Sequence, residues 1–177
     1  MPDFKDIEGP VARINRMSRE EAYVELLKCC GSTRWAREVA ALKPFWDVTQ
    51  VVIIGHRVWS ELSEEDWLEA FRAHPKIGET KTKAAVTEQE RRWSEGEQRR
   101  ASDASEETRD ALAEANREYE ERFGFIFIIC ASGRTAEEIL SALRARITND
   151  RDTELRVAAD EQWNITELRL RKFFDAA

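Results

Sequence analysis

Helix-start signals recur along this sequence. Ser18, Thr87 and Thr135 are each followed three residues later by a glutamate, the capping-box spacing in which side chain and backbone satisfy each other's hydrogen bonds. Only seven glycines and four prolines occur among 177 residues, whereas an all-β fold needs more turn residues. The sequence therefore predicts an all-α protein, a compact bundle of about eight helices in a single domain over residues 1–177.

Half of the predicted helices begin at a capping serine or threonine, and several end at glycine or proline. The apolar run Val51-Val52-Ile53-Ile54 suits either a strand or a buried helix, and its helical surroundings favour a helix. Residues 76–86 contain three lysines without a clean period, which is typical of a solvated loop. The predicted helices run from Ser18 to about Cys30, over Trp35–Leu42, Val51–Leu62, from Ser63 to near His74, from Thr87 through Gln98, and over 106–122, 135–147 and 150–174.

Residues 125–130 are apolar at every position, with the sequence Phe-Ile-Phe-Ile-Ile-Cys. Because no polar position interrupts this run, periodicity cannot distinguish a buried strand from a buried helix. In either case the segment must lie inside the protein. We expect it to form the centre of the core.

Charge and cysteine content exclude several classes of protein. A net charge of −7, with arginines interleaved among acids, argues against nucleic-acid binding. Three cysteines, two of them adjacent and none in a C-x-x-C pair, indicate neither a disulfide framework nor a zinc cage. No apolar run approaches the roughly 18 residues that span a bilayer. We therefore expect a cytoplasmic protein that does not bind membranes.

The strongest candidate for chemistry is the pentapeptide His74-Pro75-Lys76-Ile77-Gly78. A residue before proline favours extended backbone, so the imidazole projects from the end of the preceding helix. Further along, Ser94, Glu97 and Gln98 share one helical face and offer a hydroxyl, a carboxylate and an amide. On pattern alone, a histidine at a helix end is as often structural as functional, and a Ser/Glu/Gln face also occurs on ordinary exposed helices.

Other polar residues carry weaker signals. Arg169 lies at the apolar border of the last helix, where it needs either a protein carboxylate or an anionic ligand, and the pattern favours the carboxylate. His56 has no partner motif and is expected to be structural or exposed. No glycine-rich phosphate loop occurs, and two histidines without H-x-x-x-H spacing leave too few preferred metal ligands. The sequence thus implies neither a nucleotide cofactor nor a metal.

Taken together, these motifs resemble the 2-oxo-4-hydroxy-4-carboxy-5-ureidoimidazoline (OHCU) decarboxylases of uric acid degradation. The resemblance spans nearly the whole chain and depends on the order and separation of short motifs. It rests on Cys30-Gly31-Ser32 with Trp35 and Pro44-Phe45, Ala73 to Gly78, Ser94-x-x-Glu97-Gln98, Asn116, Tyr119, Arg122 to Cys130 with Ile126 and Ile128 variable, Asn149-x-Arg151-x-x-Glu154-Leu155 and Leu168-Arg169-Leu170.

The resemblance implies the helical fold of this family, cofactor-free decarboxylation of OHCU to (S)-allantoin, and frequently a homodimer. It also implies roles for individual residues. His74 would be the catalytic histidine and Glu97 its carboxylate partner. The implied substrate-binding residues are Pro75, Ser94, Gln98, the backbone around Ile129, and Arg169. Lys76-Ile77-Gly78 takes a form that resembles some bacterial members, where others have Asp-Leu-Ala, and Ile126 stands where proline is common, which bears on substrate preference.

This chemistry suits the residues, because a neutral imidazole can accept a proton near pH 7 and Arg169 can bind a small ureide through a planar fork of donors. Two other functions fit parts of the pattern. A helical module could bind a ureide or a protein without catalysis, although such a module has no need of a His-Pro-x-x-Gly turn opposite a Ser/Glu/Gln face. A lyase or hydrolase acting on a related ureide is the second alternative.

Overall fold

The computed structural model describes residues 9–76 and 104–175. Eight α-helices and no strands occur in this part of the chain, which confirms the all-α prediction. None of these helices is long and apolar enough to cross a bilayer. The helices are α1 (Ala12–Arg16), α2 (Arg19–Cys30), α3 (Thr33–Ala41), α4 (Val48–Ser60), α5 (Glu64–Arg72), α6 (Glu106–Phe123), α7 (Ala136–Arg146) and α8 (Arg151–Asp175).

Two of the three predicted capping boxes are present. The Ser18 hydroxyl accepts from the Glu21 N–H and the Glu21 carboxylate accepts from the Ser18 N–H, and Thr135 and Glu138 repeat this arrangement at the start of α7. The third box, at Thr87, lies outside the described residues, as does most of the predicted 76–86 loop. Helices α2 and α6 end at Gly31 and Gly124, whose positive φ angles of 84° and 78° are readily adopted by glycine.

The ambiguous Val51–Leu62 segment is helical, as predicted. Its helix, α4, begins three residues earlier than expected because the Asp47 side chain accepts a hydrogen bond from the Gln50 N–H and caps it. The short helix α1 was not predicted, and Val11 at its start makes no side-chain cap that a sequence pattern could reveal.

The chain divides into two units, and the first comprises Met1–Ala70 and Trp163–Ala177. Its interior contains large side chains with almost no exposed surface. The Trp35 indole donates to the Gly55 carbonyl at 2.9 Å, and the Trp163 ring lies against Trp35 at 6.5 Å between centroids. A Cβ added at Gly55 would lie only 3.0 Å from Trp163 and 3.1 Å from Trp35, so glycine permits this close packing. The fully buried side chains here include Ile14, Leu26, Trp35, Phe45 and Phe174.

The second unit, Phe71–Gln162, has an aromatic core. Tyr119 of α6 packs against Phe123, Phe125 and Phe127 at centroid distances of 4.7, 5.9 and 5.1 Å, and Phe71 packs against Phe125 at 5.7 Å. Leu112, Ala115 and Tyr119 of α6 are buried. Whether the chain behaves as one domain stays a prediction.

The apolar segment 125–130 is buried as predicted, but it forms neither a helix nor a strand. Phe125, Phe127, Ile128 and Ile129 are at most 5% exposed, whereas Ile126 and Cys130 are half-buried. The physical reason for its irregular backbone is that side chains, rather than a neighbouring strand or a helical turn, bind several of its peptide groups.

Candidate active site

His74 lies just beyond the end of α5, in the second unit. Its N–H donates to the Phe71 carbonyl at 3.0 Å, and Pro75 follows it, so the helix ends as the proline predicts. The residue is buried, with 8% of its surface exposed. Phe71, one helical turn earlier, packs on Phe125 and thereby anchors the end of α5 in the aromatic core. A buried histidine at a helix exit is suited to proton transfer in a site that excludes bulk water.

The chain beyond Pro75 is attached to α6 by an ion pair. The Lys76 ammonium lies 2.6 Å from the Glu120 carboxylate, and both side chains are partly exposed. An exposed pair of this kind contributes little to stability, at most about 1 kcal/mol. Ile77 and Gly78, which complete the pentapeptide, and the predicted site residues Ser94, Glu97 and Gln98 lie outside the described residues.

Ile129 is buried in the second unit, and charged side chains bind the peptide groups on both sides of it. The Arg146 guanidinium donates to the Ile128 carbonyl at 2.9 Å, and the Cys130 N–H donates to the Glu161 carboxylate at 2.8 Å. The Arg134 Nε donates to the Cys130 carbonyl at 3.2 Å. The backbone that the family resemblance implies as a ligand contact is therefore hydrogen-bonded by three charged side chains.

Glu154 is the centre of a buried polar network in the second unit, and none of its surface is exposed. Its carboxylate accepts hydrogen bonds from the Tyr119 hydroxyl, from Arg146 Nε at 2.8 Å and from Asn149 Nδ2 at 2.8 Å. A buried carboxylate needs such donors, because an unpaired charge in the interior is strongly destabilising. Burial and the adjacent Glu154 carboxylate raise the pKa of the Tyr119 hydroxyl, so it stays a hydrogen-bond donor.

Arg169 belongs to the first unit and is 5% exposed. It is close enough to Cys29 and Cys30 of α2 for its charge to act on both thiols. Burial nevertheless dominates and raises the pKa of both thiols, that of Cys30 to about 12. The hydrogen bonds of Cys30 to Ser32 and Thr166 lower its pKa but do not offset the effect of burial. Both thiols are therefore protonated near neutral pH and are poor nucleophiles.

His56, the second histidine, agrees with the expectation that it is structural or exposed. It lies on the exposed side of α4, and its ring is 5.1 Å from that of Trp163. Among the predicted site residues that the structure describes, His74, Pro75 and Ile129 belong to the second unit and Arg169 belongs to the first.

Sequence reasoning missed Arg134, Arg146 and Glu161. Arg134 and Arg146 lie near the two ends of α7 and Glu161 lies within α8, where charged residues are common on exposed faces. Glu154 occurs in one of the motifs that carry the family resemblance, but its spacing alone indicates no role. The only available signal was the apolar run before Arg134, since a buried segment without regular structure needs side-chain partners for its peptide groups.

Comparison with known proteins identifies the family. Residues 15–171 match the family model of OHCU decarboxylase. The Arabidopsis thaliana uric acid degradation bifunctional protein TTL is 39% identical over 89% of this chain and 49% of its own length. A Haloferax volcanii OHCU decarboxylase is 29% identical over 96% of this chain and 98% of its own length. The chain thus spans about half of the first relative and nearly all of the second.

Solved structures show the same fold. A crystal structure of OHCU decarboxylase in the presence of (S)-allantoin has a TM-score of 0.74 and 40% identity, covering 85% of this chain and 97% of that one. A crystal structure of (S)-allantoin synthase has a TM-score of 0.67 at 18% identity, which supports the fold alone. Fold and sequence together define one helical family.

The chain belongs to the OHCU decarboxylase family, whose model matches most of its length. This confirms the family predicted from the sequence. An enzyme is therefore a better interpretation of the His-Pro-x-x-Gly turn than a non-catalytic binding module.

Proposed function

We propose that this protein converts OHCU to (S)-allantoin, without a cofactor, in uric acid degradation. The observation that carries the proposal is the family match over residues 15–171. The similarity to an OHCU decarboxylase crystallised in the presence of (S)-allantoin supports both the substrate and the product, because it covers 97% of that chain at 40% identity.

In the proposed reaction His74 acts as the base. The neutral imidazole accepts the proton of the ring hydroxyl, the bond between the ring carbon and its carboxylate breaks, and carbon dioxide leaves. The bonding electron pair passes into the adjacent C=N group, and the former hydroxyl oxygen becomes a carbonyl. Two protons, one returned by the imidazolium and one from solvent, then protonate the ring nitrogen and, on one face, the neighbouring ring carbon to give (S)-allantoin. A metal is not needed in this scheme, since the C=N group of the substrate accepts the electrons.

The burial of His74 supports this role. With 8% of its surface exposed, the imidazole can act where water is largely excluded. Glu97 is proposed to orient the imidazole or to relay its proton, and Ser94 and Gln98 to bind the ureido and ring groups. Arg169, also buried, is proposed to bind the anionic substrate through its guanidinium fork.

The proposal predicts that His74→Ala and Glu97→Gln each abolish stereoselective product formation while the protein remains folded. Loss of a general base typically lowers the rate by about 10²- to 10⁴-fold. The measurement is circular dichroism of enzymatically generated OHCU, because the spontaneous product is racemic and only an active enzyme gives a lasting signal.

His56→Gln is the matched control, because His56 is the other histidine of the chain and lies on an exposed helix face. This variant should keep wild-type activity. Near-normal stereoselectivity in His74→Ala would remove the proposed role of His74, whereas absence of activity in the wild-type protein would remove the proposed function itself.

A further inference from the structure

We propose that Arg146 and Glu161 are positioning residues that orient the N–H and carbonyl groups of Ile129 toward the substrate. The inference rests on the proposed function, because it concerns how the same ligand is bound. In this proposal neither side chain touches the reacting atoms. All of the contacts that support it lie within the second unit.

Arg146 determines the orientation of the peptide group before Ile129. Its Nη1 donates to the Ile128 carbonyl at 2.9 Å, and this peptide is trans, so the Ile129 N–H points in the opposite direction. Arg146 is itself held in place, because Glu154 accepts from its Nε and Nη2 at 2.8 and 2.5 Å. The guanidinium also lies 4.5 Å above the Phe127 ring.

Glu161 determines the orientation of the peptide group after Ile129. Its carboxylate accepts from the Cys130 N–H at 2.8 Å, so the Ile129 carbonyl points away from Glu161. The Glu161 side chain is only 18% exposed, and Arg134, 3.9 Å from its second oxygen, also donates to the Cys130 carbonyl. Such charge-assisted bonds are stronger than those between neutral groups.

The result is a donor and an acceptor on Ile129 whose directions are both determined by its neighbours. Ile129 is 4% exposed, and within residues 9–76 and 104–175 no hydrogen bond engages its N–H or carbonyl. Buried backbone groups normally find a partner. A ureide carries N–H and C=O groups side by side and is therefore chemically complementary to this pair.

The test compares Glu161→Ala with Glu161→Gln and Asp160→Ala. The glutamine retains an oxygen that can accept from the Cys130 N–H, whereas alanine removes it. Asp160 is the neighbouring carboxylate on α8, and it is exposed. The measurements are calorimetric Kd for (S)-allantoin, kcat and KM for OHCU, and the ¹⁵N-amide shift of Ile129 during titration with (S)-allantoin.

Glu161→Ala should raise the Kd and the KM by about tenfold, with kcat little changed, because the lost contact acts on ground state and transition state alike. The Ile129 amide shift on titration should shrink. Glu161→Gln should recover most of the affinity, and Asp160→Ala should match the wild-type protein. Equal affinity in Glu161→Ala and Asp160→Ala would overturn the proposal, as would a glutamine variant as weak as the alanine variant.

Arg146→Lys provides a second test if Glu161→Ala does not fold. Lysine keeps a positive charge beside Glu154, but a single nitrogen cannot reproduce the fork that reaches both Glu154 and the Ile128 carbonyl. The Kd should again rise, and an unchanged Kd would overturn the proposal. An active wild-type enzyme with unaffected variants would refute only the positioning roles, whereas an inactive wild-type enzyme would refute the proposed function.

Discussion

At the scale of single residues, the buried polar groups are the ones that need specific hydrogen-bond partners. Glu154 has no exposed surface and accepts hydrogen bonds from the side chains of Tyr119, Arg146 and Asn149. Each donor offsets part of the cost of burying a charge, so the network is stable only when it is complete.

Tyr119→Phe should therefore destabilise the protein by about 1.5 to 3 kcal/mol, the usual contribution of a hydrogen bond to a charged group. The measurement is the free energy of unfolding in urea. The other tyrosine supplies a control, because Tyr23 is half-buried on α2 with Arg37 5.6 Å from its ring, a contact that phenylalanine retains. A loss in Tyr119→Phe no larger than that in Tyr23→Phe would contradict the assigned role of the network.

The buried thiols make the free energy of unfolding fall as pH rises through the alkaline range. Burial raises the pKa of Cys30 from 9.0 to about 12 in the folded protein. A raised pKa means that the folded state holds the proton more tightly, so this contribution is complete below about pH 9 and is lost as pH rises toward 12. The loss is about 1.4 kcal/mol per pH unit within this window.

Comparison of the wild-type protein with Cys30→Ala isolates this effect. The difference in unfolding free energy between them should move in favour of the variant as pH rises from 8.5 to about 10.5, since alanine does not titrate. Val39→Ala is the control, because Val39 is equally buried but apolar, and its difference should be independent of pH. A Cys30→Ala difference that is also independent of pH would show that the thiol pKa is not raised.

At the scale of helices, capping residues predicted three starts correctly. Ser18, Ser63 and Thr135 all precede helices as expected, and glycines end α2 and α6. The pattern failed where no side chain marks the boundary, at α1, and where the apolar run at 51–54 concealed a start at Asp47. It also left segment 125–130 undefined, because its irregular backbone depends on distant side chains.

Thr135→Ala should cost about 1 kcal/mol of unfolding free energy, because it removes the acceptor for the Glu138 N–H at the start of α7. Thr135→Ser keeps the hydroxyl and should be close to neutral. Urea unfolding of both variants provides the measurement. An alanine variant as stable as the serine variant would mean that the box contributes nothing measurable.

At the scale of the whole molecule, the family match and the structural similarity establish the family and the fold. A homodimer and a cytoplasmic location remain predictions from the resemblance and the composition. We propose the dimer for this protein, and light scattering after size exclusion should give about twice the 20.5 kDa mass of one chain. A mass of one chain at micromolar concentration would contradict it.

By itself, the sequence determined the helical class, most helix boundaries, the family and the position of His74 at a helix exit. These follow from local causes, since caps, glycines and the proline act within a few residues along the chain. The tertiary structure decided that His74 and Arg169 are buried, and it revealed how Arg146 and Glu161 hold the peptide groups beside Ile129. Those contacts join residues 18 and 31 positions apart, and no periodicity in the sequence records which distant side chain will reach a given carbonyl or N–H.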